Sequence, residues 1–284
     1  MTTDPRFKDA SDAAIAAERV ERDAWLDYFQ AAPADAVDAV KLAYHRIGGM
    51  GLLAGGAIPI IELNRVMAVG IDAPTDQSEL SAAVAWLDTN GAKNWAIQVS
   101  PQMRTPSLQS WLEANKLVPS GNGWAKFVRS TSPSQPDTSS HAKIDVRLAG
   151  KEAAETFGAV VQAGFGLPQV MAGWFSSLVN RPSWNTYIAY DGADAVATGA
   201  MFMADGSAWF GIDTTLPAYR GRGVQAALIA ARLSDARSAG ARVCTAETAY
   251  SPAPNEEGYS SYRNYLRGGF GLAYVRQNFR SEQA

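Results

Sequence analysis

A short glycine-rich loop that leads directly into a helix restricts the fold of this chain more than any other feature. The stretch "LPAYRGRGVQAALIAARL" covers Leu216 to Leu233. Glycines let the backbone curl so that successive amide N–H groups converge, and the first helical turn adds unpaired N–H groups and partial positive charge. The residues after the glycines have the spacing of a buried helix face: Val224, Ala227, Leu228 and Ala231. The stretch therefore predicts an anion site in a loop–helix unit.

The glycine spacing alone leaves the identity of the anion open. A Walker-type loop is absent, but Gly221–Ala226 fits the Gly-x-Gly-x-x-Ala string of dinucleotide-binding loops. Glu247, at the end of the next predicted strand, would then hold a ribose. However, Gly221 lies nine positions after Ile212, whereas the first glycine of a dinucleotide loop follows its strand directly. A nucleotide-cofactor oxidoreductase is the less favoured hypothesis.

Two halves of the chain share a sequence landmark. "GID" occurs at Gly70–Asp72 and again at Gly211–Asp213, and a predicted helix ending at a Gly-Ala pair follows each copy. The second copy is longer, and the extra residues are most simply placed in "TTLPAYRGRG". The stretch "STSPSQPDTSSH", from Ser130 to His141, has the composition of a linker. We predict a tandem repeat with a domain at 1–130, a linker at 131–141 and a domain at 142–284.

Apolar patterns in the first half predict helices and strands in alternation. Helices are expected over Ala13–Gln30 and Ala34–His45, and strands over Ala57–Leu63 and Val66–Ile71. Asp76, followed three residues later by Glu79, predicts a capping box at the start of the next helix.

Composition excludes several classes of function. The 284 residues are 47% hydrophobic and carry a net charge of −3, so we expect a globular chain with no nucleic-acid partner. With two histidines and one cysteine, no metal site is expected. The start has no apolar signal core and the "IGGMGLLAGGAIPII" run is short for a span, so a soluble cytoplasmic protein is expected, with no membrane partner. A monomer and a homodimer both remain open.

The loop resembles the acetyl-CoA loop of the GNAT-family N-acetyltransferases. Their pattern, Arg/Gln-x-x-Gly-x-Gly/Ala, is matched from Arg220 to Val224, while Gln225 stands where Gly or Ala is usual. The order of predicted elements from about Ala142 to Phe279 resembles that family too, and the first half resembles a degenerate copy without the loop. The resemblance implies an α/β (α+β) fold of two GNAT-like domains, each a mixed, mostly antiparallel sheet flanked by helices.

The resemblance also implies an activity and its residues. A GNAT-type enzyme would move an acetyl group from acetyl-CoA to a primary amine of a small molecule or peptide by direct transfer. The cofactor-binding residues implied are Asp213, Thr214, Thr215, Arg220, Gly221, Arg222, Gly223, Val224, Gln225 and Asn264. "SYRNYLRGGF" resembles the family's Tyr-x-x-x-Gly-Phe motif, which makes Tyr265 the candidate general acid. Asp213 and Glu247 are the alternative candidate bases.

The acceptor site is expected around the loop Ala163–Val170, with Trp174 and Phe175 after it. Aromatic side chains there would suit a small or amphiphilic amine, and they would equally suit the core of a helix pair. A non-catalytic acyl-CoA-binding or regulatory module remains an alternative function.

Overall fold

The computed structural model describes residues 10–131, 144–253 and 258–281. We call residues 10–131 the N-terminal half and residues 144–281 the C-terminal half. The predicted linker lies outside the described residues from position 132 onward, as does His141. The predicted domain boundaries therefore stay a prediction.

Helices and strands alternate in both halves of the described chain. The helices are α1 (Ala10–Gln30), α2 (Ala34–Val40), α3 (Gln77–Thr89), α4 (Pro106–Ala114), α5 (Ala154–Phe165), α6 (Met171–Ser176), α7 (Val224–Ser238) and α8 (Ser260–Arg267). The strands are β1 (Leu42–Ile47), β2 (Met50–Gly55), β3 (Arg65–Met67), β4 (Ala96–Val99), β5 (Leu117–Ser130), β6 (Asp145–Leu148), β7 (Trp184–Asp191), β8 (Asp194–Ala204), β9 (Ser207–Thr215), β10 (Val243–Ala249) and β11 (Gly271–Ser281).

The strands form one sheet of eleven, in the order β1-β2-β3-β4-β11-β5-β10-β9-β8-β7-β6. Only β3–β4 and β9–β10 are parallel pairs among the described strands. The last strand of each half is exchanged: β11 pairs with β4 of the N-terminal half, and β5 pairs with β10 of the C-terminal half. The mixed, mostly antiparallel sheet is confirmed, and the sheet expected in each half is joined to the other through β5 and β11.

The start of the N-terminal half differs from the sequence prediction. The helix predicted to reach His45 ends at Val40, because Lys41 adopts a left-handed conformation with φ 55°. Residues from Leu42 onward instead form a hairpin with β2, and the prediction of a strand over Ala57–Leu63 is wrong. The predicted capping box is confirmed at Asp76 and Glu79.

Helix α1 of the N-terminal half packs against the C-terminal half. It packs in a core formed by residues of both halves on one face of the sheet. The Trp174 indole donates to the Tyr28 carbonyl at 2.7 Å, and Arg181 binds both carboxylate oxygens of Asp27, at 2.6 and 2.9 Å. Because strand side chains alternate between faces, Trp209 joins this core, while Phe210 joins a second core under α7 and α8. No helix in the described ranges is long and apolar enough to cross a membrane.

Candidate active site

Strands β9 and β10 separate towards their carboxyl ends. Their parallel ladder runs from Ser207 and Val243 to Phe210 and Ala246, but both strands continue beyond it. A bulge follows in β9, where Ile212 has φ 56° and the pairing with β8 shifts register. The β10-facing edge of residues 211–215 therefore has no strand partner in the described chain, and its backbone groups face the opening between the strands.

The predicted glycine loop lies beside this opening. Gly221 and Gly223 have φ 76° and 80°, a conformation that favours glycine, and α7 begins at the next residue. The backbone N–H groups of residues 221–226 have no hydrogen-bond acceptor within the described ranges. No atom lies within 4 Å of the position that a Gly221 Cβ would take. The loop therefore presents a run of unpaired donors beside open space, as an anion site requires.

A cavity of about 1200 Å³, which we call the loop cavity, adjoins these donors and is lined by residues 219–226 together with α8 and the end of β9. Among the described residues, its charged lining consists of Arg129, Arg220, Arg222, Arg263 and Arg267 together with one carboxylate, that of Asp213. Sequence reasoning missed Arg129, Arg263 and Arg267, because β5 and α8 bring them to the loop from elsewhere in the chain. The four-residue spacing of Arg263 and Arg267 was the available signal, since such residues share a helix face.

The predicted cofactor-binding side chains occupy different positions around the loop cavity. Arg220 lines it and donates from Nε to the Thr215 carbonyl at 3.1 Å, which braces the loop against β9. Arg222 is largely exposed and lies 3.4 Å from Asp191. Thr214 and Val224 also line the cavity.

Gln225, the departure from the family pattern, turns towards α8. Its Nε2 lies 3.1 Å from the Ser261 hydroxyl, and its Oε1 accepts from Asn264 Nδ2 at 2.8 Å. The side chain thus links the start of α7 to α8, and its backbone N–H remains among the unpaired donors of the loop.

Asp213 and Tyr265, both predicted site residues, are brought together. The Tyr265 hydroxyl donates to Asp213 Oδ2, and Asp213 Oδ1 lies 2.6 Å from Nη1 of the fully buried Arg232. The Arg232 side chain lies between α7 and β8, where its Nη1 donates to the Ala200 carbonyl at 3.1 Å. A Cβ on Gly199 would lie 2.9 Å from Asp213 Oδ1, so glycine there leaves room for the pair. Burial, and then the charge of Asp213, raise the pKa of Tyr265 well above its usual value.

Glu247, the other candidate base, lies in a buried network of charges where the two halves meet. Its Oε2 pairs with Arg276, and its Oε1 lies 3.6 Å from Arg65 Nη1. Arg276 also binds Glu18 at 2.9 Å and Glu21 at 3.0 Å, and Lys126 pairs with Glu21.

Burial raises the pKa of Glu247 to about 7, although Arg276 opposes the shift. For Glu21, burial alone would raise the pKa, but Arg276, Lys126 and Arg65 together lower it. The pKa values of these two carboxyls of the network are therefore shifted in opposite directions, and of the two it is Glu247 that can exchange a proton near neutral pH.

A second cavity, of about 610 Å³, lies between the halves and reaches Glu247; we call it the junction cavity. The N-terminal half contributes Trp25, Tyr28, Arg65 and Trp124 to its lining, and the C-terminal half contributes Tyr265. Both cavities are lined by Phe165, Asp213, Gln225, Gly258 and Ser261, so they adjoin at the end of β9.

The predicted acceptor segment contributes only in part to the junction cavity. Phe165, Leu167 and Phe175 line it. Trp174 is fully buried and stacks on Tyr28, with ring centroids 4.1 Å apart, so it belongs to the core between the halves. Cys244 is buried within β10, and burial raises the pKa of its thiol to about 12. No cluster of three metal-ligating side chains occurs in residues 10–131, 144–253 and 258–281.

No protein-family model matches the sequence, and no curated protein is significantly similar to it. Solved structures do match. A GCN5-related N-acetyltransferase from Kribbella flavida has a TM-score of 0.59 at 16% identity, over 93% of this chain and 95% of that one. A tandem GNAT protein from the clavulanic acid biosynthesis pathway has a TM-score of 0.56 at 16% identity, over 92% and 94%.

A GCN5-related N-acetyltransferase from Sphaerobacter thermophilus has a TM-score of 0.56 at 15% identity, over 76% of this chain and 70% of that one. The first two matches cover more than nine tenths of this chain and therefore span both halves. The chain therefore has the fold of the GCN5-related N-acetyltransferases in their tandem form.

Proposed function

We propose that this protein is an N-acetyltransferase that moves an acetyl group from acetyl-CoA to a primary amine of a small molecule or peptide. The observation that carries the proposal is the junction of the two cavities. A cationic cavity with a run of unpaired amide donors adjoins a second cavity that contains a carboxyl with a pKa of about 7. An anionic acyl donor and an amine acceptor would meet at the end of β9.

The loop cavity fits CoA in both charge and hydrogen-bonding capacity. The amides of residues 221–226 and the start of α7 would bind the pyrophosphate, and the guanidinium groups of Arg220 and Arg222 would neutralise it. The unpaired edge of β9 at residues 213–215 would bind the amide groups of the pantetheine chain. When bound, acetyl-CoA supplies the activated acetyl thioester.

Glu247 is the base that the geometry favours. Its carboxyl lines the junction cavity, and its raised pKa lets it accept a proton near pH 7. Asp213 is instead held by Arg232 and Tyr265, so both of its oxygens are engaged. We assign Glu247 to take the proton that the amine loses as its new N–C bond forms, and Asp213 to position Tyr265.

Tyr265 is the candidate acid for the departing sulfur. Its raised pKa keeps the phenol protonated, and it lines the junction cavity beside Asp213. A covalent enzyme intermediate on cysteine is disfavoured, because the single cysteine of the chain is a buried thiol with a pKa of about 12. Direct transfer from donor to amine is therefore the proposed route.

Calorimetry combined with an assay of thiol release tests the proposal. We expect CoA and acetyl-CoA to bind and NADH not to bind, and we expect thiol release from acetyl-CoA when a panel of primary amines is added. Binding of NADH without CoA would point to an oxidoreductase. CoA binding with no thiol release for any amine would leave a binding module, and the enzymatic proposal would be wrong.

A further inference from the structure

The junction cavity contains a buried arginine with one unused edge. Arg65 is 1% exposed and lines the cavity, yet its Nε and Nη2 have no hydrogen-bond partner in the described chain. Its Nη1 alone is bonded, to Gln98 Oε1 at 3.2 Å. A buried charged donor without an acceptor is destabilising, so this unpaired edge of the guanidinium beside a cavity indicates a missing acceptor for Nε and Nη2.

The two unpaired atoms form one side of the guanidinium fork. Nε and Nη2 present parallel N–H groups, which is the arrangement that binds both oxygens of a carboxylate. Trp25 and Trp124 fix the plane of this fork, since their ring centroids lie 4.3 and 5.1 Å from Arg65 Cζ. The edge is thus held in place before any ligand arrives.

The proposed base lies next to this edge. Glu247 Oε1 is 3.6 Å from Arg65 Nη1, the nitrogen of the same guanidinium that does not belong to the unpaired edge. The amine and the carboxylate of an α-amino acid are separated by only two bonds through Cα, so a ligand of this class has both groups that Arg65 and Glu247 would bind close together. A peptide amino terminus has a neutral amide in place of that carboxylate and would leave Arg65 unpaired.

The remaining lining suits an apolar or aromatic side chain. Trp25, Tyr28, Phe175 and Trp209 line the junction cavity. These aromatic rings would surround the side chain of a ligand whose carboxylate is bound to Arg65.

Building on the proposed function, we propose that the acceptor is a free α-amino acid with an apolar or aromatic side chain. Arg65 binds its carboxylate through Nε and Nη2, and Glu247 receives its amine. Arg65 is then a specificity-determining residue, which the N-terminal half supplies to a reaction carried out on the C-terminal half.

A matched set of ligands tests this assignment. L-phenylalanine, L-phenylalaninamide and phenethylamine have the same phenyl ring and primary amine, and they carry a carboxylate, a neutral amide and neither group, respectively. L-tryptophan and L-leucine with their amides extend the set. Binding to the CoA-loaded protein is measured by saturation-transfer NMR, and turnover by thiol release. We expect at least one free amino acid to bind at least tenfold more tightly than its amide and its amine.

Two variants locate the effect at the guanidinium edge. Arg65→Lys keeps the charge beside Glu247 and loses the two-pronged edge, so it should lower amino-acid affinity at least tenfold while CoA affinity by calorimetry stays unchanged. Arg46→Gln, at a half-exposed arginine of the same half, is the control and should change neither.

The outcomes separate this inference from the proposed function. Amides and amines accepted as well as free amino acids, or amino-acid affinity unaltered in Arg65→Lys, would overturn the assignment and leave the acetyltransferase intact. Failure of every amino acid to bind would also overturn it. Amino-acid binding that depends on Arg65, without any thiol release, would support the site and reject the proposed chemistry.

Discussion

Helices α3 and α7 occupy equivalent positions in the two halves, but the N-terminus of α3 is capped by side chains and that of α7 is not. At α3, the Asp76 carboxylate accepts from the Ser78 N–H at 2.8 Å, and Glu79 completes a capping box. At α7, Gly223 caps the helix without any side chain, and the N–H groups stay unpaired. In the N-terminal half a carboxylate of the chain itself binds the N–H groups at the helix start, and in the C-terminal half those N–H groups have no side-chain partner among the described residues.

The same contrast recurs at the candidate base and acid. Glu247 and Gln98 both lie seven residues after the glycine that ends the preceding helix, but Gln98 is a neutral amide that donates to Asn278 at 2.9 Å. Helices α8 and α4 are each followed by a residue with positive φ, Gly269 and Lys116 respectively. Four residues before these positions stand Tyr265 in the C-terminal half and the buried Leu112 in the N-terminal half. The N-terminal half therefore lacks a base and a phenol as well as the loop.

The aspartates of the repeated "GID" differ only in their partners. Asp213 is paired with Arg232 and Tyr265, whereas Asp72 is paired with Arg19, at 2.6 Å, and Arg22 of α1. Both aspartates thus hold other groups in place. The comparison indicates that a few polar residues distinguish the half that contains the candidate site from the half in which the same positions support the fold.

The largest effect is expected at the loop that only the C-terminal half has. Gly223→Val places a β-branched residue at φ 80°, where it is strained, so the loop amides should turn away from the phosphate position. Losing two charge-assisted hydrogen bonds would weaken CoA binding at least roughly 100-fold. Calorimetry with CoA measures the change.

Gly91→Val is the matched control in the N-terminal half, at φ 74° with no atom within 4 Å of the added Cβ. It should reduce thermal stability to a similar degree and leave CoA affinity unaltered. If both variants weaken CoA binding alike, the difference between the halves does not lie in the loop.

The second effect concerns the base. Glu247→Gln gives the C-terminal half the residue that the N-terminal half has, and turnover should fall roughly 100-fold or more, the usual contribution of a general base. Because the pKa of Glu247 is raised to about 7, the carboxyl is protonated and inactive below that pH. Wild-type kcat/KM should therefore rise as pH increases through about 7 and then level off, and the variant's residual activity should lack this rise.

Glu62→Gln removes an exposed carboxylate from the same cavity and should preserve both rate and pH profile. CoA affinity should be unchanged in both variants. A wild-type rise centred far below pH 7, or a variant that keeps the rise, would remove Glu247 from the proposed role.

A smaller effect is expected at Tyr265. Tyr265→Phe approximates the apolar Leu112 of the other half, removes the hydrogen bond to Asp213, and should lower kcat roughly tenfold with little change in KM for acetyl-CoA. Tyr262→Phe, on the same helix and lining the same cavity, should have no comparable effect. Equal rates for the two variants would mean that the Tyr265 phenol takes no part in turnover.

Local patterns predicted most of the fold. The capping box of α3, the glycine loop before α7 and the order of helices and strands along the C-terminal half are all encoded by residues close in sequence. The β1–β2 hairpin was missed, because a single left-handed residue, Lys41, ends α2, and the following "YHRI" has no clear alternation. The strand exchange was missed as well, since pairing of β5 with β10 and of β11 with β4 depends on contacts between distant segments.

Several residues of the candidate site were predictable from the sequence, but their surroundings were not. The loop glycines, Glu247 and Tyr265 carry local motifs, whereas the surroundings that set their chemistry do not. The pKa of Glu247 depends first on its burial and then on Arg276, Glu21 and Lys126, which reach it from β11, α1 and β5. No spacing in the sequence signals that Arg65 would be buried between Trp25 and Trp124.

The smallest effect is expected at the helix start of the N-terminal half. Asp76→Ala removes the side-chain cap of α3 and should lower the free energy of unfolding by about 1 kcal/mol, as measured in urea. Thr105→Ala, which uncaps α4, gives a reference loss of the same kind. CoA should still bind with one equivalent and unchanged affinity, because the turn before α3 lacks the glycine loop and the arginines that surround α7. If Asp76→Ala bound a second equivalent of CoA, the Asp76 carboxylate alone would be what prevents binding at α3. The glycine loop would then not be required for an anion site at a helix start.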